Sequence, residues 1–371
     1  MKKYFLLLVT LQVFSLGQGQ VIDAVISQNT LGEGITKEQS ALIFSTLKTL
    51  PNGVQISMAL LRNGTPQYIG VQRQNDTIFR VDNRSKVFEI GSLTKVFTAA
   101  LLADVVLQKR IALTDTINNF LGFPLKDNVA ITFKQLATHT SGLPRVPASL
   151  LTPASLASLN PYKEFQEAEL KEYLAQDLKM AYIPGEKSEY SNLGVGLLGY
   201  LLSTLENTSY EDLLQTKIFT KYNMTTATTI RPKVANKLVL GVNDSGTVVP
   251  NWDMEVLVGA GGALASVTDL SKFAIANFDD SNAALKMTRT PFYKATETFA
   301  TGLAWGIVTT DSKAEWYWHN GGTGGYTSSI ILDTAAKNGV VLLSNITALG
   351  TMTNAVTSLC PELMKTIGEG E

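Results

Sequence analysis

Cysteine is nearly absent: Cys360 is the single thiol among 371 residues. That excludes an intrachain disulfide framework and leaves no N-terminal thiol to carry a bacterial lipid anchor. Histidine is almost as scarce, with only His139 and His319. An H-E-x-x-H zinc site is therefore impossible, and a histidine-rich metal centre lacks ligands. Neither a G-x-S-x-G nucleophile elbow nor a G-x-x-x-x-G-K phosphate loop occurs, so no metal and no cofactor is expected. Charge of one sign is missing too. Lys and Arg number 31 against 32 Asp and Glu, a net charge of -1, so no long-range field draws nucleic acid or an anionic membrane. The apolar run Tyr4 to Leu16, interrupted by Gln12, falls short of the roughly 20 residues of a spanning helix. No internal repeat, low-complexity block or Pro/Gly/Ser-rich linker divides the chain.

What the N-terminus does contain is Lys2 and Lys3, that apolar run, and the small residues Gly17 and Gly19. The pattern predicts a signal peptide over 1–19, cleaved near Gln20. Residues 20–371 are then one exported domain, periplasmic or secreted, without stable membrane insertion after cleavage and acting as a monomer. With 45% hydrophobic residues the chain can fill a substantial core.

Residues 53–72 read as two strands around Asn63-Gly64, a pair that tolerates the positive φ of a tight hairpin. From Ser92 to about Glu206 the apolar spacing is mainly helical, over Ser92–Lys109, Ala168–Leu178 and Leu193–Leu205. β texture returns after 300, with a turn expected around Lys337-Asn338-Gly339 and a closing helix over Gly350–Ile367. Strands at both ends of a helical middle predict an α+β fold. The α/β part would come from 20–90 and about 207–371, and an all-α subdomain from about 91–206.

Three stretches could carry chemistry. Ser92-Leu93-Thr94-Lys95 follows Gly91 and opens an apolar helix. Positions i and i+3 share a helix face, so Lys95 can take the proton of Ser92, and apolar surroundings favour the neutral amine it needs. Ser45-Thr46-Leu47-Lys48 has the same spacing and reads as an exposed helix face. Taken alone, Ser92 reads equally as a helix cap and Lys95 as a surface residue. The second stretch, IPGEKSEYSNLGVGLLGY (183–200), can project Tyr190 and Asn192 into a cleft, or bury the tyrosine and cap a helix with the asparagine. Its Gly194-Val195-Gly196-Leu197-Leu198-Gly199 follows no strand, so it is assigned to close helix packing and not to a dinucleotide. In the third, WYWHNGGTGGYTSSI (316–330), glycines after His319 let a substrate lie along the backbone and expose N–H groups to an acyl oxygen. A Ser-His-Asp triad through His319 also stays open by spacing.

In this order the three stretches resemble the motifs of the class C β-lactamase and D-alanyl-D-alanine carboxypeptidase family of serine hydrolases, as Ser92–Lys95, Tyr190-Ser191-Asn192 and His319-Asn320-Gly321. Similarity continues in LATHTSGLP (136–144) and GAGGALASVTDLSKFA (259–274), over most of the chain. The resemblance implies an antiparallel sheet flanked by helices, with an inserted all-α subdomain and the site in the cleft between them. It implies acylation of Ser92, proton transfer by Lys95 and Tyr190, an oxyanion hole of the Ser92 and Gly322 N–H groups, and substrate contacts from Asn192, His319 and Gly321. Small-molecule β-lactams or peptidoglycan peptides are the implied substrates. A carboxylesterase on the same site and a penicillin-binding protein that does not turn over are the alternatives. One departure is plain: the third motif has His319 where class C β-lactamases usually have lysine. An unperturbed imidazole titrates near about 6.5, so a cationic His319 predicts that carboxylate-bearing substrates weaken as pH rises. Arg145 is the other candidate for that carboxylate.

Overall fold

Asn63 and Gly64, at φ 50° and 79°, close a two-residue turn between β1 (Gln55–Arg62) and β2 (Thr65–Gln74), with Arg62 opposite Thr65. The structure, a computed structural model, describes residues 35–75 and 77–367. The expected signal peptide lies outside them. β3 (Thr77–Arg80) continues the edge beyond β2. At the other end of the chain come β6 (Tyr293–Lys294), β7 (Phe299–Thr301), β8 (Gly306–Thr309), β9 (Glu315–Gly322), β10 (Thr327–Asp333) and β11 (Asn338–Ser344). Together they form one antiparallel nine-stranded sheet in the order β3-β2-β1-β11-β10-β9-β8-β7-β6. The fold is α+β, an antiparallel sheet flanked by helices and built from both ends of the chain. A separate two-stranded pairing joins β4 (Val87–Glu89) to β5 (Leu264–Ser266).

Because successive strand residues face opposite sides, one strand can feed two cores. Met58 and Leu60 of β1, with Val340 and Leu342 of β11, meet the helices Lys37–Leu47 and Thr353–Lys365 through Phe44, Leu47, Leu359 and Leu363. Ala59, Leu61, Val341 and Leu343 face the larger core on the other side. The helices Thr94–Leu107, Asn192–Glu206 and Val267–Ala276 bury their apolar residues there. Among the described residues, no strand of the large sheet lies between 81 and 292.

Two local readings change. The β10–β11 turn spans Thr334–Lys337, not Lys337-Asn338-Gly339, because Asn338 and Gly339 already pair with Asp333 and Leu332. The Asn338 side chain accepts from the Asn63 N–H at 3.1 Å, and Gly64 N–H donates to the Lys337 carbonyl at 2.8 Å. The Asn-Gly pair thus ties two hairpin ends together instead of turning. The pattern over Ala168–Leu178 becomes a helix over Glu167–Glu172 that widens into a π-helical turn over Tyr173–Asp177. The glycines of 194–199 serve packing as expected. A Cβ on Gly199 would lie 2.9 Å from the Gly259 Cα, so two helix backbones touch there.

Candidate active site

β4 delivers the chain to Gly91, whose φ of +49° favours glycine, and a 3₁₀ turn over Gly91–Leu93 leads into the helix Thr94–Leu107. A Cβ on Gly91 would sit 2.5 Å from the Gly322 nitrogen, and one on Gly321 would sit 2.1 Å from the Ile90 carbonyl oxygen and 3.0 Å from the Ser92 nitrogen. The Ser92 turn and the end of β9 therefore meet backbone to backbone. Thr94 locks the turn, donating through Oγ1 to the Gly91 carbonyl at 2.7 Å and accepting from the Ala263 N–H at 3.1 Å.

Lys95 is fully buried. Its Nζ stands 3.0 Å from Ser92 Oγ, 2.8 Å from Asn192 Oδ1 and 2.6 Å from the Ala260 carbonyl oxygen. Burial, and secondarily the Arg145 charge, hold its pKa well below the usual lysine range. Asn192 Oδ1 and the Ala260 carbonyl can only accept from Nζ, so they fix the amine beside the Ser92 hydroxyl, which can accept from the ammonium or donate to the neutral amine.

Tyr190 covers this pair, with its ring centre 4.7 Å from Lys95 Nζ. Burial pushes its hydroxyl pKa up, and an interaction with Ser92 opposes that shift. Asn192 opens the helix Asn192–Glu206, which Ser191 caps by accepting the Gly194 N–H at 2.9 Å. Its amide orientation is fixed at both ends, since Oδ1 accepts from Lys95 while Nδ2 donates to Tyr162 Oη at 3.1 Å. His319 sits on β9 with its ring centre 6.2 Å from that of Tyr190. Its Nδ1–H donates to the Asn320 carbonyl at 2.8 Å, which leaves Nε2 as an acceptor.

Burial lowers the His319 pKa to about 3. The imidazole is therefore neutral throughout the physiological range, and the cation expected at this place is absent. Arg145 supplies a charge instead. Its guanidinium lies 5.1 Å from the Tyr190 ring centre and is exposed. Among the described residues no carboxylate lies within ion-pair distance of it.

Ser92, Tyr190, Asn192, His319, Gly321 and Gly322 all line one cleft of about 1060 Å³. Three contributors were not assigned roles from the sequence: the Ala260 carbonyl, Tyr162, and His139. His139 adopts φ 59°, accepts the Ser191 N–H at Nδ1 (3.2 Å) and lays its ring 4.5 Å from that of Tyr190. The quoted stretches LATHTSGLP and GAGGALASVTDLSKFA contained two of the three, but only the folded chain brings them to Tyr190 and Lys95. Ser45 and Lys48, in contrast, are exposed at the end of the helix Lys37–Leu47.

Putative beta-lactamase-like 1 from Homo sapiens is 27% identical over 219 residues, covering 58% of this chain and 41% of that protein. Penicillin-binding protein 4* from Bacillus subtilis is 25% identical over 285 residues, covering 70% of this chain and 61% of its own length. The chain thus spans less than two thirds of either relative. The solved octameric penicillin-binding protein homologue from Pyrococcus abyssi superposes with a TM-score of 0.74 at 22% identity, over 89% of this chain and 77% of that one. The profile of the Beta-lactamase family matches residues 52–355. With that span including every residue of the cleft's centre, the chain belongs to the beta-lactamase family of serine hydrolases.

Proposed function

We propose that the protein hydrolyses β-lactam amides or D-alanyl peptides through an acyl-enzyme on Ser92. The observation that carries this reading is the buried Lys95, whose Nζ stands 3.0 Å from Ser92 Oγ while Asn192 Oδ1 and the Ala260 carbonyl hold it in place. Ser92 Oγ attacks the substrate carbonyl carbon as its proton passes to Lys95. The developing oxyanion is met by the N–H groups of Ser92 and Gly322, which the Gly91 and Gly321 contacts bring together. Tyr190 and Lys95 then return the proton to the leaving nitrogen, the C–N bond breaks, and water releases the acyl group with Ser92 regenerated. Asn192 steadies the bound substrate beside the lysine. Export with loss of residues 1–19, and action as a monomer, belong to the same reading.

A carboxylesterase is the second reading, favoured by one observation: a neutral His319 gives a carboxylate-bearing substrate no cation at the end of β9. Comparing kcat/KM for a chromogenic cephalosporin, a D-Ala-D-Ala peptide and a short p-nitrophenyl ester decides between them. A dominant cephalosporin or peptide value supports the first reading and a dominant ester value the second. A stable penicillin adduct without turnover identifies a penicillin-binding protein, and no reaction with any of the substrates or penicillin overturns all three.

A further inference from the structure

Tyr190 stands near the end of a stretch without regular structure. From Leu178 to Ser191 the backbone forms no helix or strand, and most of 183–189 is exposed. A phenol that exchanges a proton with Ser92 and Lys95 needs its oxygen held to about half an ångström, and its own segment supplies little to hold it.

The hold comes from the loop that follows the helix Phe133–Ala137. The N–H groups of Ala181, Gly185 and Glu189 donate to the carbonyls of Gly142, Thr140 and His139 at 2.8, 2.7 and 2.8 Å. Beyond Tyr190, the N–H groups of Asn192 and Leu193 share the Arg145 carbonyl at 2.8 and 3.1 Å, and the Ser191 hydroxyl donates to the Pro144 carbonyl at 2.7 Å. These acceptors are all main-chain carbonyls, which every residue type offers.

His139 adds a side chain to them. Its carbonyl takes the Glu189 N–H while its Nδ1 takes the Ser191 N–H at 3.2 Å, so one residue grips the chain immediately before and immediately after Tyr190. Its ring lies 4.5 Å from the tyrosine ring, tilted by 32°. Because Nδ1 accepts, the neutral imidazole carries its proton on Nε2, and an imidazolium would lose the Ser191 bond. Burial disfavours that charge: the residue is 6% exposed, and desolvation holds its pKa well below the usual histidine range. The backbone at φ 59° lies in the left-handed region, disfavoured for residues with a Cβ but less so for Asn, Asp and His. An acceptor, a flat ring and this φ together suit histidine.

We infer that His139 is a positioning residue for Tyr190, fixing the phenol over Ser92 and Lys95 through the Ser191 N–H and the facing rings. This rests on the proton-transfer role proposed above for Tyr190 and adds the group that sets its geometry.

The test is the rate at which a fluorophosphonate labels Ser92, measured for His139→Asn and His139→Phe with Tyr190 present and again combined with Tyr190→Phe. The probe reacts with an activated serine whichever acyl substrate is the natural one. Asparagine keeps an acceptor and tolerates the left-handed backbone but loses the ring, whereas phenylalanine keeps the ring and leaves the Ser191 N–H unpaired. With Tyr190 present, His139→Phe should slow labelling by on the order of tenfold to 10²-fold, and His139→Asn by less. Combined with Tyr190→Phe, neither should slow it further by more than about twofold, because the hydroxyl that His139 places is gone. Thermal unfolding reports whether each variant is folded, and His139→Asn carries the comparison if His139→Phe is not. Equal losses with and without the Tyr190 hydroxyl would overturn the inference, since they would mean that His139 supports the loop at large and reaches Lys95 through Asn192. Unchanged labelling with Tyr190 present would overturn it as well. Tyr190→Phe labelled as fast as wild type would instead remove the proton-transfer role of Tyr190 and the inference with it, and a wild type that is never labelled overturns the acyl-enzyme reading itself.

Discussion

Ser45-Thr46-Leu47-Lys48 and Ser92-Leu93-Thr94-Lys95 share a spacing, and nothing within the four residues separates them. Their surroundings separate them completely. Ser45 Oγ spends its hydrogen bond on the Leu42 carbonyl at 2.9 Å, and Lys48 is exposed to solvent. Lys95 is buried against two carbonyl-type acceptors with Ser92 as its third neighbour. Water would stabilise the ammonium of Lys48, while its exclusion disfavours that of Lys95. What sets one Ser-x-x-Lys apart from the other is thus the dry, hydrogen-bonded pocket around it and not the spacing.

The largest effect expected from breaking this contrast is at the serines. Ser92→Ala should abolish labelling by a fluorescent penicillin or a fluorophosphonate, and Ser45→Ala should leave it intact. The reverse result would sink the assignment. Next come the lysines. Lys95→Met should slow acylation by on the order of 10²-fold or more, and Lys48→Met should not change it. Tyr190→Phe should cost a similar factor, and the double variant with Lys95→Met little more, because one shared proton path is broken in each case. Strictly additive logarithmic losses would show two independent contributors.

The pH profile sharpens the comparison further. A base acts in its neutral form, and the folded pKa of Lys95 is depressed. Acylation should therefore fall as pH drops through that lowered value and reach its plateau well below the roughly 10.4 of an ordinary lysine. A limb near the ordinary value would mean that Lys95 is solvated like Lys48. Gly91→Ala should destabilise the fold by about 1–3 kcal/mol, since the new Cβ meets the Gly322 backbone, and thermal unfolding would measure it. The smallest expected effect is at His319. With its pKa held at about 3, carboxylate-bearing and neutral substrates should keep parallel pH profiles between pH 5 and 8. A selective loss of the charged substrate across that range would restore the cationic histidine.

Much of this was legible in the sequence because it is local. The hairpin at Asn63-Gly64, the helix after Ser92 and the packing glycines of 194–199 follow from conformational preference and periodicity. The β10–β11 turn was misplaced because its Asn-Gly pair is engaged by the neighbouring hairpin, a contact between distant segments. His319 was expected to titrate near neutrality because sequence shows the residue type and not the burial that decides its charge. His139 and the Ala260 carbonyl escaped assignment for the same reason, since each reaches the cleft's centre only through tertiary contacts.

The strand order has a consequence in time. β1 pairs with β11, Ile56 opposite Ser344, so the middle of the sheet is a seam between the first and the last strand of the described residues. Closing so long a loop is entropically costly and slow, and sheets dominated by such pairings fold late. The stretch that abuts Gly91, the end of β9, also belongs to the final part of the chain. Ser92 consequently gains its Gly322 neighbour only after β9, far along the chain from it, has emerged. A chain interrupted before β9 would carry Ser92 and Lys95 without the backbone that completes their pocket, and the strand order thereby couples competence for chemistry to the emergence of β9.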